Sequence, residues 1–536
     1  MTNIFFPHRT TDLWRNNSET KTTTLFSDKE LRLHKFFLNE TGSLIWRHCT
    51  GQFSNEDIAQ RLFSELEGDK PDFAEILAET TDLLYDLREN GLVTWANKPK
   101  DVLFVVPPFP DSYSKSSVNS PDYSSPPLGI AYLAAVLKQN NFDVSILDMH
   151  ILALNPEDII GHYRKETPRI IALSATTPTF PNAVKIAKLI KAWDEKTIVV
   201  LGGVHATCLP DECVAFECFD YIVVGEGELT MLELVNSLIH KSIPIEAVNG
   251  LVFKSGNEIH ATKPRQWLEN LDSLPLPARE LLDIDSYYQK GSIISSRGCP
   301  YHCNYCSCAV IAGHTYRVHS VDYVLNEIEF LMNHYDIKHF DFHDDTFNFY
   351  SERVFDFCRK VKERQLEFHW GCFCRVTNFN DEIAQAMKDS GCNVIQFGVE
   401  AGNQTVLDSI KKKIRLDEIE KAVASAKKAK IESISCGFII GHAQDTEETI
   451  NQTIDFGVRL SKIGASNLTI SILTPYPATE VYNNLGKNGI KLLTKNWEQF
   501  IFSRVVIEHK NITQEKLREL YVKGVEQFLN ASNQVF

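Results

Sequence analysis

No run of apolar residues in this chain of 536 residues approaches the ~20 needed to cross a bilayer. The opening MTNIFFPHRTTDLWRNN lacks the cationic start, the apolar core and the small-residue cleavage site of an export signal, so the sequence predicts a soluble protein of the cytoplasm. Basic excess is missing too. A formal charge of -15 excludes a globally basic surface for holding nucleic acid or anionic lipid. Tandem repeats and low-complexity tracts are absent. The 13 cysteines are odd in number and scattered, which argues against a disulfide framework and for reduced thiols, some of them candidate metal ligands. What is present is globular material: 43% hydrophobic residues over this length predict about two to four domains, each with its own core.

Up to about Ala96 the pattern predicts a hairpin-like segment followed by two helices. Ser54 caps one that runs through Ile58, Leu62 and Leu66. Asp72 starts the other, through Ile76, Leu83, Leu84 and Leu87, and Asn90-Gly91 stops it. A short return strand over 92–95 completes a winged-helix-like unit over 1–97, with a linker at 97–100. From Asp101 five apolar runs, DVLFVVPP, FDVSILDM, RIIALSAT, TIVVLGG and DYIVVGEGE, surround the amphipathic helices LGIAYLAAVLKQ and FPNAVKIAKLIKAW. The fold class is α/β, and a doubly wound Rossmann-like parallel sheet over 101–245 accounts for the alternation. Its loops 174–177, 202–207 and 225–228 follow strands and would line one crevice. Residues 246–290, with the hairpin GLVFKSGNEIHATKP and the proline-punctuated LDSLPLPARELL, read as a connector. Further β/α units from SIISSRG to ASNLTISILTP predict a partial, TIM-like (β/α)6 barrel over 291–495, and the tail 496–536 holds one helix.

The strongest chemical signal is SSRGCPYHCNYCSC, in which Cys299, Cys303 and Cys306 stand in CxxxCxxC spacing directly after a predicted strand. Thiolates hold iron-sulfur clusters, and three on one loop leave one iron with an open position. Zinc is the rival metal, with Cys308 or His302 completing a tetrahedron of ligands. Thiols packed in a core fit this polar loop poorly.

These residues resemble the radical S-adenosylmethionine superfamily, and the likeness runs through most of 291–480, including Tyr305 just before the third cysteine. The resemblance implies a [4Fe-4S] cluster on Cys299, Cys303 and Cys306 whose free iron chelates S-adenosylmethionine. An electron from a flavodoxin or ferredoxin would then yield methionine and a 5′-deoxyadenosyl radical. It also implies cofactor contacts from Asp344 and Asp345 in HDDTF, from Arg375, from Glu400 in GVEAG, and from Gly437 and Gly441 in GFIIG. Carboxylates suit an ammonium group and a guanidinium suits a carboxylate. Taken singly, Asp344, Asp345 and Glu400 also read as helix caps or surface ion pairs. The chain departs from the family pattern at Ala401, in IGHAQDT and at Ala478.

The second stretch resembles the cobalamin-binding domain that precedes the radical domain in many such enzymes, on PPLGIAYLAAVL, SATTPTFPNAVKIAK, VLGGVHATCLP and DYIVVGEGE. Gly202 and Gly203 would let backbone approach a corrin, Thr176, Thr177, His205 and Thr207 offer hydrogen bonds, and Gly225, Glu226 and Gly227 suit the next loop. A nucleotide or flavin is the generic alternative for such a sheet. Asp148-Met149-His150 has the form of a DxH cobalt-ligand motif, but position 153 is Ala153 instead of glycine and the triplet follows the second strand, so His150 reads as a loop residue.

The first stretch resembles PqqD-like domains on FLNETGSLIWRHCTGQFSNEDIAQRL and DLLYDLRENGLVTW, which implies capture of the leader of a ribosomally made precursor peptide as an added strand. A DNA-binding winged helix is the alternative, and Glu56, Asp57, Glu65, Glu67, Asp69 and Asp72 speak against it. Trp46 and Trp95 read as core or interface aromatics, and Cys372, Cys374 and Cys392 as strand or core thiols. Together the resemblances imply a cobalamin-dependent radical enzyme that methylates an unactivated sp3 carbon of a precursor peptide. Two other readings stay open. One is a non-methylating cobalamin radical cyclase or rearrangement enzyme on a peptide, tetrapyrrole or lipid. The other is a cobalamin-binding regulator with a winged-helix domain.

Overall fold

Apolar, β-branched runs become strands and the longer periodic segments become helices in the computed structural model, which describes residues 6–9, 14–17, 22–29, 32–38, 40–50, 53–65, 72–89, 93–96, 99–110 and 124–532. In the N-terminal unit β1 (Phe6–Arg9) pairs antiparallel with β5 (Val93–Ala96), and β2 (Trp14–Asn17), β3 (Thr22–Lys29) and β4 (Arg32–Leu38) form a three-stranded antiparallel sheet. Three helices follow β4, over Glu40–His48, Asn55–Glu65 and Phe73–Glu89, one more than the periodicity predicts. The first of them is too short to show a period, yet it buries Ile45 and Trp46 against Ile58, Leu62 and Leu84. Ser54 caps the second reciprocally: its Oγ accepts from the Asp57 N–H at 3.0 Å, and its own N–H donates to Asp57 Oδ2 at 2.9 Å. The stop at Asn90-Gly91, Leu66, and Asn97-Lys98 of the linker lie outside the described residues.

The second unit is a seven-stranded sheet. Its parallel strands are β6 (Val102–Val106), β7 (Val144–Asp148), β8 (Ile170–Ser174), β9 (Ile198–Gly202) and β10 (Tyr221–Val223), and β11 (Leu251–Ser255) and β12 (Glu258–Ala261) add to one edge in antiparallel fashion. The order is β12-β11-β10-β9-β8-β6-β7, so the strand order reverses between β6 and β8. Alternate residues of β6 point to opposite faces: Leu103 and Val105 meet the helix Phe180–Trp193, while Val102 and Phe104 meet the helix Leu128–Gln139. Both helices match the predicted segments residue for residue. The hairpin read as part of a connector is the end of this sheet, because Leu251, Val252 and Phe253 are apolar on both faces and buried beside β10.

The third unit opens with β13 (Ser292–Ile293), followed by a two-stranded ribbon of β14 (Ser296–Arg297) and β15 (Arg317–Val318). Then come β16 (His339–Phe342), β17 (His369–Cys374), β18 (Cys392–Glu400), β19 (Ser433–Ile440) and β20 (Asn467–Ile472). Six parallel strands in the order β13-β16-β17-β18-β19-β20 make the expected partial barrel. The helix Gln514–Ser532 lies over the last strand and the helix Glu447–Ile463 before it: a Cβ on Gly524 would stand 2.6 Å from Ile470, and one on Gly457 2.4 Å from the Phe528 ring. The tail also reaches the second unit: Trp497 Nε1 donates to Glu212 at 2.7 Å. No helix among the described residues is long and apolar enough to cross a membrane.

Candidate active site

The cysteine loop is the tip of the β14–β15 ribbon. It leaves β14 through Gly298, which has φ +85° and a hypothetical Cβ only 2.4 Å from the Thr315 carbonyl, so no other residue turns the chain here without a clash. Cys299 N–H donates to the Gly313 carbonyl at 3.2 Å, closing the loop on itself. Its middle is pinned from outside, with Asn304 N–H on the Ile410 carbonyl at 3.2 Å and Val481 N–H on the Asn304 carbonyl at 3.0 Å.

Cys299, Cys303, Cys306 and Cys308 all line one cavity of about 510 Å³. The Cys299 thiol is lowered to about 6, first by a hydrogen bond with Cys308, whereas burial pushes Cys306 up to about 11. Cys308 N–H meets Cys306 Sγ at 3.4 Å, and its thiol also contacts Asp345. Among the described residues no three His, Cys, Asp or Glu side chains converge as ligands of a single ion. A four-iron cluster takes each thiolate on a different iron, and thiols spread along one loop around a shared cavity suit that arrangement.

Other predicted residues divide sharply. Asp344, although on the cavity wall, is only 1% exposed and turned inward: Oδ1 accepts from the N–H groups of Ser295 (2.6 Å) and Ser296 (3.0 Å), and Oδ2 from Ser295 Oγ (2.5 Å). Its neighbour Asp345 faces the cavity, and burial raises its carboxyl above the usual range. Arg375, after β17, stacks 3.7 Å over the Tyr301 ring and donates to the Lys412 carbonyl. Glu400 ends β18 in the left-handed region, φ +71°, at an irregularity in the β18–β19 register, and accepts from Lys412 Nζ at 2.7 Å. Such strain concentrates at functional sites. Gly437 and Gly441 are not on this wall. Gly437 lies inside β19 opposite Gly398, and Gly441, φ +89°, donates its N–H to Asp445 at 2.9 Å and faces Leu517. Their sequence signal is that of a strand and a turn.

Lys412, Tyr301, His314 and His343 line the cavity without having been singled out. Lys412 is hidden in the sequence by its neighbours, since a KKK run reads as a solvated face, yet only its side chain of those three sits 9% exposed against a carboxylate. Cys372 and Cys392 are buried in strands as expected, and Cys374, also buried, reaches the cavity wall.

A second cavity, about 300 Å³, lies beyond the carboxyl ends of β8, β9 and β10. Gly202, Gly203, Gly225 and Gly227 form its bed, and Leu133, Val200, Val223 and Met231 its apolar sides. A Cβ built on Gly129 or Gly225 meets nothing within 4 Å, so side chains there would project into the space. A broad, flat, largely apolar ligand that needs close backbone approach fits such a bed. Glu226 also lines it, but its carboxylate is engaged by Arg297 and Arg317.

The remaining predicted residues of this group turn away. His205 is buried, stacked 4.1 Å on Phe180 with its Nδ1 3.4 Å from Thr177 Oγ1, and burial lowers its imidazole to about 4. Thr207 accepts from the Gly225 N–H at 3.0 Å, and Thr176 bonds with Thr179. The helix Val204–Cys208 winds His205 into the core, and Thr177, in the loop after β8, is buried beside it. His150 is a loop residue as expected: its N–H donates to Asp148 and its ring packs on Phe109 at 4.9 Å. The two cavities share His343 and Asp345 as a common wall.

The family profile of the B12 binding domain matches residues 115–235, that of the Radical SAM superfamily 293–457, and that of coenzyme PQQ synthesis protein D (PqqD) 31–93. An uncharacterized methyltransferase of Pyrococcus horikoshii, PH0819, is 35% identical over 80% of this chain and 93% of its own length. The bacteriochlorophyllide d C-12(1)-methyltransferase of Chlorobaculum tepidum is 27% identical over 73% of this chain and 80% of its own. Among solved structures, the radical S-adenosylmethionine methyltransferase TsrM from Kitasatospora setae, with cobalamin and a [4Fe-4S] cluster bound, shares the fold with a TM-score of 0.64 at 17% identity, over 81% of this chain and 89% of its own.

Proposed function

This chain belongs to the family of B12-binding radical S-adenosylmethionine methyltransferases, and on that premise we propose that it methylates an sp3 carbon of a ribosomally made precursor peptide. The observation that carries the reading is the common wall. A cavity lined by thiols and a cavity bedded on glycines meet at His343 and Asp345, where a substrate carbon has access to both.

In this reading Cys299, Cys303 and Cys306 hold a [4Fe-4S] cluster, Asp345, Arg375 and Glu400 hold S-adenosylmethionine, and Gly202, Gly203, Gly225 and Gly227 bed cobalamin. When bound, these groups supply reductive sulfonium cleavage, hydrogen-atom removal and a transferable methyl. The chain's own residues orient and exclude. Asp345 offers a carboxylate to an ammonium, and Arg375, fixed on Tyr301, offers a guanidinium to a carboxylate. Lys412 holds Glu400 in its strained conformation, so that site is organised before any ligand arrives. The apolar sides of the second cavity exclude water from a radical. The PqqD-like unit supports a peptide substrate, its small sheet offering an edge to a leader segment. In this reading the electron comes from a donor such as a flavodoxin or ferredoxin.

The test is anaerobic incubation of reconstituted protein with S-adenosylmethionine labelled in its methyl group and the peptide encoded beside its gene. Label recovered in the peptide is the expected result. Deoxyadenosine without labelled peptide would favour cyclisation or rearrangement, and no deoxyadenosine at all would overturn the radical reading.

A further inference from the structure

Whatever holds the two strands of the β14–β15 ribbon also holds the cysteine loop between them, and both strands are gripped by one carboxylate of the other domain. Glu226 Oε1 accepts from Arg317 Nη2 at 2.8 Å and from Arg297 Nη1 at 3.2 Å. Its Oε2 accepts from Arg317 Nη1 at 2.9 Å and from the Leu268 N–H at 3.0 Å. Arg297 and Arg317 are cross-strand partners in the ribbon. The other arm of Arg297 donates to Glu228 at 2.7 Å, and the two guanidinium groups lie 5.4 Å from the Tyr132 and Trp267 rings.

Exposed ion pairs contribute little, but these side chains are 5 to 12% exposed. A forked guanidinium on a carboxylate shielded from water fixes direction as well as distance. Placement gives the clamp its meaning. Glu226 stands between Gly225 and Gly227, both in the bed of the second cavity, and Arg297 stands two residues before Cys299. One ion pair therefore joins the glycine bed to the thiol loop.

The geometry points to Glu226, Arg297 and Arg317 as positioning residues that set the spacing between the cobalamin bed and the cluster loop, an inference that rests on the cofactor reading above. None of the three touches a reacting atom in that reading. Their effect comes through the loops they join, where a misplacement of ~1 Å costs roughly a hundredfold in rate.

Arg317 lines neither cavity, so Arg317→Met is the main variant. Full-length protein is reconstituted anaerobically, loaded with hydroxocobalamin and reduced until Co(II) and the cluster are both paramagnetic. Pulsed electron paramagnetic resonance then reads their distance from the dipolar coupling. In the unaltered protein the distribution is narrow. In Arg317→Met and in Glu226→Gln the narrow distribution is lost, and hydroxocobalamin binds roughly tenfold more weakly, a change of about 1.4 kcal/mol. Arg317→Lys keeps the charge without the fork and shows an intermediate width, which also decides the matter should the methionine variant fail to accumulate. Variants with an unmoved distance and affinity would overturn the clamp while leaving the cofactor reading intact. Unaltered protein in which the two signals never coexist would overturn that reading, and the clamp with it.

Discussion

Replacing Asp344 and Asp345 one at a time separates a buried tie from a ligand contact. In Asp344→Ala the N–H groups of Ser295 and Ser296, now 2.6 and 3.0 Å from a carboxylate oxygen, lose their acceptor in a place where water does not reach. An orphaned buried donor costs ~1–3 kcal/mol, so two cost ~2–6 kcal/mol. Local opening that becomes easier by ~2 kcal/mol accelerates amide exchange roughly thirtyfold. Asp345→Ala removes a carboxylate that burial already disfavours, and changes stability by less than ~1 kcal/mol. The assay is hydrogen exchange by mass spectrometry over 292–297, run beside a binding titration with S-adenosylmethionine. The expected pattern is fast exchange in the first variant, and native exchange with weakened binding in the second. Native exchange combined with lost binding in Asp344→Ala would show that the hydrogen-bond count is the wrong account of this residue.

Alanine at Cys299, Cys303 or Cys306 abolishes the cluster, whereas Cys308→Ala retains it; iron and sulfide per chain and the visible absorbance of anaerobic protein read the difference. Gly129→Leu places a side chain in open space at the second cavity, so it leaves the melting temperature unchanged or raised and blocks hydroxocobalamin, as a spectroscopic titration will report. The imidazole of His205 is held at about 4 against 6.5 in the unfolded chain, so its stabilising contribution is complete above pH 6.5 and is lost as pH falls toward 4. That loss is about 1.4 kcal/mol per pH unit, and His205→Phe, which keeps the stack on Phe180, flattens the acid side of the melting profile.

Much of the architecture was legible because it rests on local pattern. LGIAYLAAVLKQ and FPNAVKIAKLIKAW carry an apolar face at helical spacing, and each becomes a helix with those limits. The thiol set was legible because three ligands within eight residues can come together without knowledge of the fold. Contacts made across long stretches of chain were not. Glu226 looks like a loop ligand until Arg317, 91 residues away, is placed against it. Asp344 and Asp345 are indistinguishable as letters, but successive side chains leave the backbone in different directions, one into the protein and one into the cavity. His205 and Thr177 turn inward for a related reason: the short helix after β9 buries the imidazole, and the loop after β8 sets the Thr177 hydroxyl against it.

Six staves do not close a cask. The flank of its last two staves is covered by the helix Gln514–Ser532, whose Phe528 ring sits 5.2 Å from Phe438 of β19 and whose Gly524 rests on Ile470 of β20. Cut away that helix and an oily flank beside an unguarded sheet margin faces solvent, the kind of surface that recruits other copies. A shortened chain would therefore clump before its catalytic half had any chance to fail.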